Sequence, residues 1–346
     1  MSQAGKIRSI EPKYAIPGGE IAINCEGFRA EHGSDHSVMI DGAIAKVTAA
    51  SSNRILAIVP EDIDGGHIRV NLTAGSHTGD HFAYVVGKKL IDGMHIVANP
   101  AIDTSDDAII LTRSGSRGQH LEATLFRLEP DGYLDELPEA ILNPTGIAFD
   151  QEGQMYVTNR AQGEVYAVSR DGSSSVYATG LGIATGLAFD ADGVMYVGDR
   201  SGTIYRVRDF AEVEAFATLE PSVAAYHIAF GPDGRLYVSS PGLASHDAIY
   251  AVSPLGTVER YARGFGRPQG IAFDTDGNLY AAACHRGIHG VVKITPKAAS
   301  IENFVAGNSV VGLCFTRTGD LIVATNDSVY SIPCKTKGVL VSDEPV

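Results

Sequence analysis

One recurring phrase constrains this chain more than any other feature. Residues 143–160 read NPTGIAFDQEGQMYVTNR, and residues 184–200 read ATGLAFDADGVMYVGDR. Three further copies follow: HIAFGPDGRLYVSS, GIAFDTDGNLYAAA and GLCFTRTGDLIVAT. With the phenylalanine as marker, Phe149, Phe189, Phe230, Phe273 and Phe315 are 40, 41, 43 and 42 residues apart. PAIDTSDDAIILTR is a degraded sixth copy, with Ile102 in the phenylalanine slot 47 residues before Phe149. Such periods belong to repeat architectures whose units bury their faces only against one another, and about 40 residues suits a four-stranded propeller blade.

Each copy has a physical reading. Runs such as Gly146–Phe149 are too short for a helix and carry the β-branched and aromatic content of buried strands. The tetrads DQEG, DADG, GPDG, DTDG and TRTG then supply residues that tolerate positive φ, as tight hairpins require. A second strand (QMYVT and its equivalents), a third (EVYAVS, TIYRVR) and a more polar fourth (SSVYAT, EVEAFAT) complete the unit. The expectation is an all-β protein with a six-bladed propeller over 88–346, in blades near 89–140, 141–181, 182–222, 223–266, 267–308 and 309–346. Residues 1–87 read differently. Short alternating strands with frequent turn signals predict a small β-sandwich, with the boundary near Gly87–Lys89.

These motifs resemble two known families. Ile10 and Pro12, the PGG of Pro17–Gly19, Gly27–Phe28, and Val59–Pro60 before Gly65–Gly66 resemble an IPT/TIG immunoglobulin-like domain. Residues 89–346 resemble the NHL-repeat and gluconolactonase (regucalcin)-like propellers, whose repeat also runs P-x-G-[IL]-A-[FV]-D-x-x-G-x-[LM]-Y-V-x-[DN]. The resemblance implies a ligand-binding mouth where the inner strands begin. It also implies hydrolysis assisted by a divalent metal held by Asn, Asp and Glu, two of these ligands lying just before the inner-strand glycines. Those positions here hold Thr145, Thr185, Tyr226, Gln269, Val311 and Ala98, none a carboxylate, whereas a hard cation wants several oxygens, charged ones among them. The related peptidyl-amidating lyases hold zinc through histidines, and His227 lies one residue out of that register.

A second set of residues lies six and seven positions after each turn glycine or its equivalent: Thr112–Arg113, Asn159–Arg160, Asp199–Arg200, Ser240–Pro241, Ala283–Cys284 and Thr325–Asn326. Arg113, Arg160 and Arg200 recur at one spot, with Arg286 offset by two, and guanidinium forks suit carboxylate or phosphate. The alternative is that the Asp or Asn caps its own loop while each arginine pairs with a neighbouring carboxylate. Tyr226, Gln269 and these arginines are the candidate substrate contacts. His227 and His285 are candidate bases with Asp199, Asp247 or Asp327 as partner, since imidazole titrates near neutrality. His246, His285 and His289 fall in two longer loops, SSPGLASHDA and ACHRGIHG. Asn143, Asn159 and Asn326 are the candidate oxygen ligands for one divalent ion, Ca²⁺ or Zn²⁺.

Charge and composition restrict the partners. A net charge of −14 argues against nucleic acid. MSQAGKIRSI holds no apolar stretch suited to a signal peptide, and no span approaches a membrane helix, so a cytoplasmic or otherwise soluble location is expected. Cys25, Cys284, Cys314 and Cys334 are widely spread, and Cys25 and Cys314 read as buried apolar residues. Three functions fit: a gluconolactonase-like hydrolase with a small polar, anionic substrate; a binding module for a protein or glycan, with the N-terminal domain as spacer or dimer contact; or a lyase or synthase with a histidine-metal or metal-free site.

Overall fold

The computed structural model describes residues 4–31, 35–115, 119–138, 140–208, 211–242 and 246–339, and it is built from strands and turns, with a 3-10 turn at Pro296–Ala298. Four antiparallel sheets follow one another from Ala101. Sheet 1 runs Ala101–Asp103, Ala108–Thr112, Leu125–Leu128 and Leu134–Glu136. Sheet 2 runs Pro144–Phe149, Met155–Asn159, Glu164–Val168 and Ser174–Ala178. Sheet 3 runs Ala184–Phe189, Met195–Asp199, Thr203–Arg208 and Glu212–Thr218. Sheet 4 runs His227–Phe230, Leu236–Ser239, Asp247–Val252 and Val258–Phe265.

Two further sets have unusual edges. Sheet 5 (Ile271–Phe273, Leu279–His285, Ile288–Ile294, Ile301–Ala306) continues into the N-terminal region. There Tyr14–Ala15 pairs in parallel with both Ile301–Ala306 and Phe82–Val86, making one ten-stranded sheet. Sheet 6 takes Val310–Phe315, Leu321–Thr325 and Val329–Ile332 from the C-terminal end, and its outer strand, Lys88–Ile91, from before sheet 1. The unit expected near 89–140 therefore starts its pairing at Ala101. The reason is that the last repeat supplies three strands and leaves an open edge, which Lys88–Ile91 covers. A separate four-stranded sheet, Lys6–Glu11, Glu20–Glu26, Arg54–Ile58 and Lys46–Ala50, faces the rest of the N-terminal region across a core that includes Ile21, Ile23, Val38, Ile55, Val70 and Val86.

The repeated letters have structural causes. In the three turns that open on aspartate, its carboxylate accepts backbone N–H groups while the glycine takes positive φ: Asp150 Oδ1 accepts from Gln154 N at 2.8 Å with Gly153 at φ 81°, Asp190 Oδ1 from Val194 N at 2.8 Å with Gly193 at φ 79°, and Asp274 Oδ1 from Asn278 N at 2.8 Å with Gly277 at φ 79°. Each second-strand tyrosine packs against the marker phenylalanine of the next sheet. Ring centroids are 5.3 Å apart for Tyr156–Phe189, 5.0 Å for Tyr196–Phe230, 4.8 Å for Tyr237–Phe273 and 5.0 Å for Tyr280–Phe315. Successive sheets are thus joined by aromatic contacts.

The inner-strand glycine lets neighbouring backbones meet. A Cβ on Gly146 would lie 2.4 Å from Thr185 O, and one on Gly186 2.6 Å from Tyr226 O. Hydroxyls tie the same seam: Thr158 Oγ1 accepts from Gly146 N at 2.7 Å and donates to Thr185 O at 3.0 Å. Each first strand packs on the next, and Ala101–Asp103 of sheet 1 also packs on Val310–Phe315 of sheet 6. In sheet 4, His227 stands in the glycine slot, and the following inner strand begins only at Ile271.

Candidate functional site

Antiparallel pairing brings both sequence-predicted sets to one end of the sheets. Pro144 lies opposite Asn159, Ala184 opposite Asp199, His227 opposite Ser239, and Val310 opposite Thr325. Arg160 N donates to Asn143 O at 3.4 Å and Arg200 N to Ile183 O at 3.2 Å, closing the loops at this mouth.

The aspartate and asparagine before the arginines are occupied locally. Asp199, 2% exposed, accepts Ile183 N and Ser201 N, each at 2.9 Å, on Oδ1, and Ser201 Oγ on Oδ2. Asn159 Oδ1 accepts Ala161 N at 3.0 Å and Gln162 N at 3.2 Å, while its amide donates to Gln162 Oε1 at 2.5 Å. Both side chains shape their turns. The arginines behave differently. Arg113, Arg160 and Arg200 are half-buried and form no ion pair among the described residues, whereas Arg127, Arg206 and Arg235 each meet carboxylates elsewhere in the sheets. Burial and the nearby Arg200 charge together push the Arg160 guanidinium below its ordinary pKa.

The other candidates divide. Tyr226 is fully buried, and its hydroxyl donates to Glu220 O. Gln269 is half-buried, its carbonyl accepting from Ser239 Oγ and its N–H donating to Ala282 O at 2.8 Å. Asn143 sits at φ 49° with Oδ1 buried and unpartnered, and Asn326 is exposed. The segment ACHRGIHG is not a loop: it is a continuous hairpin in which Cys284 pairs with His289 and His285 with Ile288 around Arg286 and Gly287. Their φ values of 52° and 82° suit a two-residue type I′ turn, and Arg286 is exposed at its tip. His285 and His289 consequently project to opposite faces, despite their four-residue spacing. His246 and His289 are exposed. Part of the other long loop, residues 243–245, lies outside the described residues.

Six buried side-chain polar atoms of the described residues lack a hydrogen-bond partner, and five lie at this one end: Thr112 Oγ1, Asn143 Oδ1, His227 Nε2, Asp247 Oδ2 and His285 Nδ1. Buried polar groups are normally paired, so this concentration of unmet groups sets this end of the sheets apart from the rest of the described residues. His227 is held neutral, its pKa pushed down to about 4 by burial. His285 is lowered too, by burial first and then by the Arg286 charge. No three His, Cys, Asp or Glu side chains gather as a metal cluster among the described residues. The donors expected for a divalent ion do not fit one: Asn159 is spent on its turn, Asn326 faces solvent, and Asn143 offers one amide oxygen. All four cysteines are free, Cys25 and Cys334 buried.

Sequence reasoning placed Thr112 beside Arg113 but gave it no role, since its hydroxyl resembles any strand threonine until its missing partner is visible. No helix is long and apolar enough to cross a membrane.

No family profile and no curated relative match the chain. Solved structures do. A candidate gluconolactonase superposes with a TM-score of 0.61 at 17% identity, covering 73% of this chain and 93% of that one. An auxiliary nutrient binding protein from Bacteroides thetaiotaomicron VPI-5482 gives 0.56 at 15% identity, covering 95% and 97%. A catalytically inactive virginiamycin B lyase from Staphylococcus aureus, crystallised with quinupristin, gives 0.53 at 15% identity, covering 90% and 98%. At these identities the likeness carries the propeller fold.

Proposed function

We propose that the chain is a six-bladed propeller, closed by Lys88–Ile91, behind an Ig-like N-terminal domain of IPT/TIG type, and that its mouth binds a small polar anion. The observation that carries this reading is the trio Arg113, Arg160 and Arg200, half-buried at one end without an ion pair among the described residues. Unpaired, crowded guanidinium groups are costly to bury, and a carboxylate or phosphate offsets that cost through bidentate hydrogen bonds. Asn159 and Asp199 act as positioning residues, fixing the turns from which Arg160 and Arg200 project. The N-terminal domain braces the fifth blade and leaves its other sheet for contact with a protein partner or second copy.

The test is ligand screening by thermal shift with organic carboxylates and phosphate esters, followed by calorimetric titration. A hit should weaken by about one hundredfold in Arg160→Ala/Arg200→Ala, since charged hydrogen bonds contribute about 1.5–3 kcal/mol each. Unchanged affinity in a folded double variant would refute the reading.

A hydrolase or lyase working at the same mouth is the second reading, favoured by one observation: His227 is neutral, with an unpartnered Nε2. A neutral imidazole can take a proton from water or from a substrate carbon. Turnover of a bound lactone or ester that His227→Gln abolishes, while the variant still binds the substrate at saturating concentration, would establish it.

A further inference from the structure

Three of the five unpartnered polar groups share one seam. Strand alternation assigns each residue of sheets 4 and 5 to a face. In sheet 4, Ile228, Phe230, Leu236 and Val238 join the apolar cluster shared with sheet 3. Their alternates, Ala229, Tyr237, Ile249 and Ala251, join the cluster shared with sheet 5. His227 lies opposite Ser239 and has the parity of Ala229, and Ser239 Oγ donates across the seam to Gln269 O. Asp247 has the parity of Ile249 and lies opposite Phe265, another member of that cluster. In sheet 5, Leu279, Ala281 and Ala283 turn toward sheet 4, and so does His285, whose ring centroid is 6.0 Å from that of Phe265.

His227, Asp247 and His285 therefore all enter the space between the fourth and fifth sheets, at the mouth end. They are 4%, 6% and 8% exposed, and each leaves a buried atom unpartnered: Nε2, Oδ2 and Nδ1. Asp247 Oδ1 is held by Gly242 N at 3.1 Å, so Oδ2 is the oxygen left over. The facing wall is made of small residues, Ala281 and Ala283. Elsewhere a glycine closes the seam to backbone contact, as at Gly146 and Gly186, but here a histidine occupies that slot. The next inner strand starts only at Ile271, leaving Gln269 outside it. An apolar floor thus carries a polar rim with one committed acceptor and two neutral imidazoles able to donate or accept.

We propose that this seam is a second recognition subsite, where Asp247 holds the hydrogen-bond-donating group, ammonium or hydroxyl, of the ligand whose anionic end the arginines take, with His227 and His285 as separate flanking polar contacts. The subsite rests on the arginine reading for the ligand's other end, while its own residues are separate from the arginines. Asp247 is the anchor, because a buried carboxyl oxygen without a donor costs more to leave unmet than any other group on the rim.

The experiment measures binding of three probes that share a carboxylate and differ at the far end: hexanoate, 6-aminohexanoate and gluconate. Saturation-transfer NMR at millimolar concentration detects weak binding, and competition ranks the probes. The full-length protein should prefer 6-aminohexanoate, gluconate or both over hexanoate by about tenfold or more. The probe preferred separates ammonium from hydroxyl. Asp247→Asn should bring the preferred probe to within about threefold of hexanoate while hexanoate itself binds as before. His227→Gln is the second variant and should narrow the same ratio, should Asp247→Asn fail to fold. Equal binding of all three probes overturns the subsite, as does a preference that survives both variants. Absence of binding by any probe also overturns it, leaving a water-filled seam. Arg160→Ala/Arg200→Ala separates the two ideas: it should weaken every probe alike. If it has no effect while Asp247→Asn removes the preference, the subsite stands and the arginine reading falls.

Discussion

At the residue scale, His227 most clearly departs from the repeat, and its burial has a consequence in pH. An unfolded histidine protonates near 6.5, whereas His227 in the fold stays neutral down to about 4. Between those values the unfolded chain binds the extra proton, so stability present above pH 6.5 is lost as pH falls toward 4. The window is worth about 3 kcal/mol at most. Urea melts at half-unit steps should show this decline in the wild type and a shallower one in His227→Gln. Parallel slopes would mean that the imidazole is not buried in solution. Burial pushes Asp103 and Asp233 up, but hydrogen bonds from Ser105 and Arg127 to the first, and from Arg235 and Tyr237 to the second, hold both carboxyls below the usual range, so they act below that window. His227 was legible in the sequence as an exception, because four other copies place a glycine there: Gly146, Gly186, Gly270 and Gly312. The missing partners of Thr112, Asn143 and His285 were not, since lack of a hydrogen bond depends on what surrounds a side chain in space.

At the element scale, the strand–turn–strand phrase was readable because its constraints are local: aspartate for the turn amides, glycine for positive φ, alternation for the faces. The tyrosine–phenylalanine contact joins different copies, so periodicity preserves both members without showing that they meet. Tyr196, 5% exposed and 5.1 Å from the Phe216 ring as well as 5.0 Å from Phe230, bridges sheets 3 and 4. Tyr196→Ala should cost about 3–5 kcal/mol in chemical denaturation, as large aromatic deletions in cores do. Exposed Tyr133→Ala should stay within about 0.5 kcal/mol. A Tyr196→Ala loss below 1 kcal/mol would show that the rings do not join the sheets. The Cys284–His289 segment was misread as a loop because Gly287 and Gly290 suggested irregular backbone, whereas Arg286–Gly287 builds a tight turn and the ladder runs on to His285.

At the scale of the whole molecule, the N-terminal region and the repeats share backbone hydrogen bonds as well as side-chain contacts. Ile16 N donates to Ala306 O at 2.8 Å and Tyr14–Ala15 pairs in parallel with Val305 and Ala306, while Ala306 and Ile288 reach the N-terminal core. The absence of the repeat and the short alternating strands of residues 1–87 revealed that the two regions differ, but a two-residue strand joining them in parallel leaves no sequence pattern. One calorimetric unfolding transition is expected for the whole chain, with calorimetric and van't Hoff enthalpies in agreement. Two resolved transitions would show that the Tyr14–Ala15 junction does not couple them. The outer strand of sheet 6 carries a further implication, for synthesis. Lys88–Ile91 leaves the ribosome early, yet its partner, Val329–Ile332, is among the last segments made. At about 5–20 residues per second the early strand waits for tens of seconds with one edge unmatched. Lysines at 88 and 89 suit that wait, since charge on a waiting edge discourages pairing with another nascent chain.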